Sequence, residues 1–453
     1  MKAVILGADS VGSGLAIRLV SENVGVTVVD ENAERLRELQ QGLDISIVHG
    51  WPSHPEVLTN AVGNEADLLI AVTQNDEANL VACDYAERLN IGKKIARVHD
   101  PYFLFREDYM RWGFNADVLI SPERQVSLTL RSMIEYPEAN QVYDFADAKA
   151  KLACIRVLPN SQMVGQKLSQ SNLPTSGIDV RVVAIYRDNE LILPDGDSEI
   201  MEKDELFLVA SRKNLRRAAR EFAPGRQPFK RVTVVGGGKI GFSLAQHLEK
   251  YFQVKVFETS FERCNFLSSE LKSSLILHAN GTDQEALKRE NIAGSDVFCA
   301  VSNNDETNVV SCLLAKKLGV PKTIALVNNP AYVGLIEDRM IDIDQYISPQ
   351  DTTLSTLLSY IRKGDVVCAY TMRHGGAEAM EIVVHGTEQD SQVCGRTIEQ
   401  LPLPYGTVVG AVIRDNQVLM AHNNVTIQSD DHLIIFTTDK TALPFVENLL
   451  KVY

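Results

Sequence analysis

Short runs of Val, Ile and Leu recur along the chain, among them "KAVILG", "VTVVD" and "ADLLIAVT", each followed by a stretch of helical length. Continuous apolar runs alternating with helices predict buried parallel strands joined by crossover helices, so residues 1–123 read as a Rossmann-like lobe. The helical stretch "VSLTLRSMIEY" leads to a different pattern over 144–222, where "VRVVAIYR" and "ELILP" flank Asp188–Asn189 and "DELFLVAS" follows. A short Asx-rich turn between strand patterns predicts a hairpin, and the segment reads as a small α+β lobe.

The same order then returns. "AVILGADSVGSGLA" reappears as "VTVVGGGKIGFSLA", with 229 positions separating Gly7 from Gly236. At that same offset Asp67 pairs with Asp296, Asp76 with Asp305, Asn79 with Asn308 and Cys83 with Cys312. Farther on, "LISPE" finds "YISPQ" and "VAIYRDN" finds "GAVIRDN", displaced by 227 through small insertions. The chain is a tandem duplication. Its second Rossmann-like lobe is expected over 230–349 and its second small lobe over 365–453, with "FAPGRQPFK" at 222–230 as the linker between halves.

Bulk composition narrows the function. With 453 residues, 45% hydrophobic and 23% charged, the chain is a globular protein of several domains. A net charge of -14 argues against nucleic acid as a partner, because phosphate backbones require a basic face. Seven dispersed cysteines without CxxC spacing point to reduced thiols and to no metal site. No apolar run approaches the roughly 20 residues of a membrane span, and Asp9 interrupts any signal-like start, so a cytoplasmic protein is expected.

Candidate chemistry lies in the glycine loops. In the second half, Gly236, Gly238 and Gly241 follow a strand and open a helix, and the next strand ends in Glu258. Gly236 makes the tight turn, Gly238 lets the backbone approach a pyrophosphate, and Gly241 lets helix and strand pack closely. A carboxylate at Glu258 accepts ribose hydroxyls and repels a 2'-phosphate, which favours NAD(H) or another adenine nucleotide such as ATP or ADP over NADP. In the first half Asp30 keeps the acidic position, but Asp9 replaces the middle glycine. Asp9 either obstructs a phosphate by bulk and charge, or requires a cation between itself and the phosphate, or caps the helix. The first site is therefore expected to be weakened or altered relative to the second.

Thr73 with Asp76, and Ser302 with Asp305, have the spacing of a capping box, at strand ends where ligands also sit. Arg97 is placed to neutralise a phosphate, and its counterpart is Leu326. Arg35 and Arg263 each follow a glutamate at a helix start and read as helix-surface pairs. His49 and His278 match across the halves and read as structural. No phosphate loop of the GxxxxGK[ST] type, HExxH or GxSxG occurs, and no histidine stands beside an acid in a catalytic arrangement, so the chain is not expected to be an enzyme.

Together "VILGADSVG" with "VTVVDENAERL", "AVTQNDEANLVAC" and their second-half partners resemble the RCK (KTN) family, in particular its Trk-type potassium-uptake regulatory subunits, over essentially the whole chain. The resemblance implies nucleotide contacts at Gly7, Asp9, Ser10, Val11, Asp30, Thr73 and Arg97, and at Gly236, Gly238, Lys239, Ile240, Glu258 and Ser302. Asn280 survives from a loop that the family writes GDA[ST] and this chain writes "ANGT", with "GWPS" at 50–53 in the first half. It further implies a homo-oligomeric ring, peripheral on the inner face of the cell membrane, that regulates a Trk-type potassium transporter. The competing readings are an NAD-dependent oxidoreductase and a regulator of another potassium channel or antiporter.

Overall fold

A computed structural model describes residues 1–63, 66–100, 103, 114–170, 177–188, 190–225, 227–361, 366–372, 376–422, 424–439 and 442–450. Asn189 of the expected turn and the expected boundary residues 365 and 453 lie outside the described residues. The chain forms two compact units, one of residues 1–126, 326–332 and 347–361, the other of 127–325, 333–346 and 362–453.

In the first unit, strands β1 (Lys2–Leu6), β2 (Gly25–Asp30), β3 (Ser46–His49), β4 (Leu68–Ala71), β5 (Lys93–Arg97) and β6 (Val118–Ile120) form one parallel sheet. Its order is β3-β2-β1-β4-β5-β6. All four residues of β4 are buried, as are Ala3 to Leu6 of β1, because helices cover both faces. The order reverses between β1 and β4, and the crevice beyond their carboxyl ends is where such sheets hold ligands.

The second unit holds the equivalent sheet except for its terminal residues Leu326 and Ile347, with β12 (Arg231–Val235), β13 (Gln253–Glu258), β14 (Leu275–His278), β15 (Val297–Ala300), β16 (Lys322–Leu326) and β17 (Gln345–Ile347) in the order β14-β13-β12-β15-β16-β17. It also holds both small lobes, each a five-stranded antiparallel sheet. The first runs β7 (Ala139–Phe145), β8 (Ala150–Arg156), β9 (Val180–Arg187), β10 (Glu190–Ile192) and β11 (Glu205–Ser211), starting five residues before the expected boundary at Asp144. The second runs β18 (Val366–Met372), β19 (Ala377–Val383), β20 (Thr407–Arg414), β21 (Gln417–Met420) and β22 (His432–Thr437). The two sheets share a core in which Phe207 and Phe436 lie 5.6 Å apart. Asp415 and Asn416 both have positive φ, the backbone of a tight two-residue hairpin turn, and Asp188 has φ 50° in the matching turn.

Two crossover helices follow the large sheets. Pro349–Ile361, which follows the second sheet, places Leu357, Leu358 and Ile361 in the core of the first lobe with Leu15 and Leu19. It lies so close to the helix Ser10–Ser21 that a Cβ on Gly14 would be 2.9 Å from Leu354. The helix Pro122–Glu135, which follows the first sheet, reaches the second lobe: Ser127 and Ser243 share a hydrogen bond of 2.8 Å, and the Arg131 guanidinium lies 5.7 Å from the centre of the Tyr251 ring. Each half thus lends its crossover helix to the other half's glycine-loop helix.

Candidate functional site

The two glycine loops share a frame that the backbone demands. Gly7 and Gly236 have φ of 106° and 99°, a region that favours glycine, and a Cβ on either would press against the backbone of Thr73 or Ser302. A Cβ on Gly12 would fall 1.9 Å from the Gly7 carbonyl oxygen, and one on Gly241 1.8 Å from that of Gly236. No side chain fits there.

The middle position behaves differently. Gly238 has φ -62° and ψ -165°, a conformation open to every residue, and a Cβ there would meet nothing within 4 Å. Asp9 adopts nearly the same backbone, with φ -72° and ψ -175°. The fold therefore places no demand for glycine at this position. What Gly238 keeps clear is space outside the protein, directly before the helix Lys239–Leu248, whose N-cap makes no side-chain bond. Exposed Lys239 and half-buried Ile240 begin that helix.

Behind each loop stands the strand-end acid. Asp30 Oδ2 accepts from Ala8 N at 2.6 Å and Oδ1 from Asn32 N at 2.8 Å; Glu258 Oε2 accepts from Gly237 N at 2.8 Å and Oε1 from Ser260 N at 2.8 Å. Each acid ties the glycine loop to the turn after its own strand, and a carboxylate retains further acceptor sites after two such bonds. Asp30 is buried, whereas Glu258 is half-buried.

Thr73 and Ser302 are not the N-caps of the following helices. The N-caps are Asn75 and Asn304, whose side chains accept from Ala78 N and Thr307 N. Thr73 Oγ1 donates instead to Asn79 Oδ1 at 2.6 Å, and Ser302 Oγ to Asn308 Oδ1 at 2.7 Å. Fully buried Asn79 and Asn308 close these loops by donating back to Thr73 O and Ser302 O. Asn280 is exposed and shapes its own turn, accepting from Thr282 N and Oγ1 at 3.0 and 2.9 Å. His49 and His278 each bond a backbone carbonyl, of Glu31 and Thr259.

Asp9 caps the helix Ser10–Ser21 and does more. Its Oδ1 accepts from Val11 N at 3.0 Å and Gly12 N at 3.1 Å, while Oδ2 accepts from Gln74 Nε2 at 2.6 Å and Arg97 Nη1 at 3.2 Å. Buried Arg97 also donates from Nη2 to Gln74 Oε1 at 3.0 Å and to His99 Nε2 at 2.8 Å. An arginine cannot accept, so His99 Nε2 is unprotonated and Nδ1 donates to Asp76 Oδ1 at 3.0 Å. Burial pushes the Asp76 carboxyl up, but hydrogen bonds from the His99 side chain and from the backbone of His99 and Asp100 outweigh it and hold it below the usual range. Arg97 is thus committed to side chains within the lobe. Gln74 and His99 escaped the sequence reading, and Asp76, read there as part of a capping box, instead accepts from His99; the offset from Arg97 to Leu326 was the available signal, since an unmatched buried cation needs a partner.

Arg263 also departs from expectation. It donates from Nε to Gly237 O at 2.7 Å and stacks 4.3 Å from the Phe266 ring centre, fixing the glycine loop instead of pairing along its helix. Arg35 borders a cleft of about 430 Å³ with Ala8, Asp9, Ser10, Ser13, Glu38 and Leu39. Ser10 is exposed, and its carbonyl accepts from Gln350 Nε2 at 2.9 Å.

The TrkA-N domain model matches residues 3–122 and 232–349, and the TrkA-C domain model matches 152–223 and 387–449. A Trk system potassium uptake protein TrkA from Halomonas elongata is 44% identical over 100% of this chain and 99% of its own length. One from Vibrio alginolyticus is 41% identical with the same coverage. The chain belongs to the TrkA family. The solved GsuK channel bound to NAD shares the fold, with a TM-score of 0.62 at 17% identity, covering 99% of this chain and 78% of that one. Both TrkA-N matches of this TrkA-family chain span a glycine loop, its acid and the loop after the fourth strand. Among the described residues no helix is long and apolar enough to cross a membrane.

Proposed function

We propose that the chain is the cytosolic regulatory subunit of a Trk-type potassium uptake system, gated by NAD(H) or another adenine nucleotide such as ATP or ADP. The observation that carries the nucleotide reading is Gly238: the fold does not require glycine there, so its bare backbone serves a ligand that approaches the helix N-terminus. Gly236, Gly238, Lys239 and Ile240 would hold the pyrophosphate, Glu258 the ribose, and Asn280 and Ser302 the flanks. Gly7, Asp9, Ser10, Val11, Asp30, Thr73 and Arg97 are the corresponding set in the first lobe. The potassium system follows from full-length likeness to relatives named for it, and the nucleotide from a neighbour of the same fold that binds NAD.

In this reading the protein makes and breaks no bond. Copies of the chain form a ring on the inner face of the membrane and dock on a Trk-type transporter. A ligand shifts the ring only by the difference between its affinities for two shapes. The exchanged crossover helices support such coupling, because each glycine-loop helix carries the element that leads into the other half's small lobe.

Titration calorimetry tests the site. NADH is expected to bind more tightly than NADPH, and Gly238→Val to weaken NADH at least tenfold with little change in thermal stability. Equal binding of NADPH would remove the role given to Glu258; an unaffected Gly238→Val variant would remove the site. Light scattering tests the assembly, since a strict monomer with and without nucleotide is incompatible with a ring.

A further inference from the structure

Where the second lobe leaves its helix N-terminus open, the first lobe fills the equivalent place from its own sequence. We infer that Asp9 is a built-in anion that holds the phosphate seat of the first lobe and closes it to pyrophosphate ligands, so that each chain takes up one nucleotide, at the second lobe. The inference rests on the reading of the second lobe as a nucleotide site.

Three observations carry it. The donors that a helix N-terminus offers an incoming phosphate are its first free N–H groups, and those of Val11 and Gly12 already point at Asp9 Oδ1. The cation that would compensate a phosphate, Arg97, is buried and bonded to Asp9 Oδ2. Gln74 then bonds both partners, donating to Asp9 Oδ2 at 2.6 Å and accepting from Arg97 Nη2 at 3.0 Å. One carboxylate therefore receives four hydrogen bonds and joins the glycine-loop helix to the loop that follows β4 and to the last residue of β5.

The second lobe lacks each part of this arrangement: glycine stands for Asp9, Leu326 for Arg97 and Asn303 for Gln74. The substitutions in the first lobe are matched to one another, as a phosphate substitute and its counter-ion must be. An arriving pyrophosphate would have to displace an anion tethered at the site, or settle beside it in like-charge contact. Either route weakens binding by on the order of a hundredfold or more.

The test counts NADH bound per full-length chain by calorimetry. The wild-type protein should bind one. Asp9→Gly should add a second site, and so should Asp9→Gly/Arg97→Leu, which reproduces the second lobe's pair and leaves no buried arginine without a carboxylate if the single variant folds poorly. Two equivalent sites in the wild type overturn the inference, as does failure of the double variant to gain a site. If the wild type binds none and the double variant binds one, the closure of the first lobe by Asp9 stands, while the reading of the second lobe, and with it the count of one nucleotide per chain, falls. Hydrogen exchange gives an independent readout: the amides of Val11 and Gly12 should be protected without nucleotide, whereas those of Ile240 and Gly241 should gain protection only when NADH is added. Equal protection of both pairs in ligand-free protein would also overturn it.

Discussion

The first and second Rossmann-like lobes have the same strand order, the same two obligatory glycines and an acid at the end of the second strand, yet the middle glycine of the loop is present in one and replaced by Asp9 in the other. Gly12 and Gly241 are fixed by the close approach of a carbonyl oxygen, so any folded copy of the lobe keeps them. Asp9 and Gly238 share a backbone conformation that any residue adopts. The difference separates two reasons for a glycine that a sequence fingerprint merges: one serves the protein's own packing, and the other, in the function proposed above, leaves room for a ligand.

Substitutions at the shared glycines should be the most costly. Gly12→Ala and Gly241→Ala each place a methyl group within 2 Å of a carbonyl oxygen, and each should cost its lobe at least about 4 kcal/mol, seen as loss of a thermal unfolding transition. Unequal costs would mean that the frames are not equivalent. Next is Asp9→Ala, expected to cost the first lobe about 3 kcal/mol in urea unfolding, because it removes the carboxylate from buried Arg97. A helix cap alone would cost about 1 kcal/mol, so a loss of that size would reduce Asp9 to a cap.

Acid offers a smaller effect of known sign. The folded-state value of Asp76 is lowered, so its contribution is present above the unfolded value and disappears as pH falls through the folded one. Urea midpoints of the wild type should therefore fall below about pH 4 more steeply than those of Asp76→Asn. Parallel curves would contradict the role of the His99–Asp76 pair. The smallest effect is the most diagnostic: Gly238→Asp should raise ligand-free stability by a few tenths of a kcal/mol, since aspartate caps better than glycine, while NADH affinity falls. A variant that is both more stable and equally able to bind would show that the space before this helix is not used.

Much of this was legible in the chain. Apolar runs long enough for buried strands gave the sheets, the constant offset paired Asn79 with Asn308, and the end of the second strand in each half, one position off that offset, paired Asp30 with Glu258. What stayed hidden depends on residues far apart in sequence. Arg97 reaches Asp9 across 88 positions, and no local pattern records that approach. Thr73 and Ser302 satisfied the spacing of a cap, but Asn75 and Asn304 stand closer to the helix start and are equally good caps, so hydrogen-bond competition decided the matter. The crossover helices were visible as helices. Their apolar faces do not state which lobe they cover.

That exchange also bears on how such a chain diversifies. A protein with one copy of the repeat could cover both glycine-loop helices only by pairing two identical molecules, and every substitution would then appear on both sides at once. Joining the copies in one gene keeps the reciprocal packing at a fixed one-to-one ratio and gives each side its own line of descent. Asp9 and Arg97 can then stand on one side while Gly238 and Leu326 stand on the other.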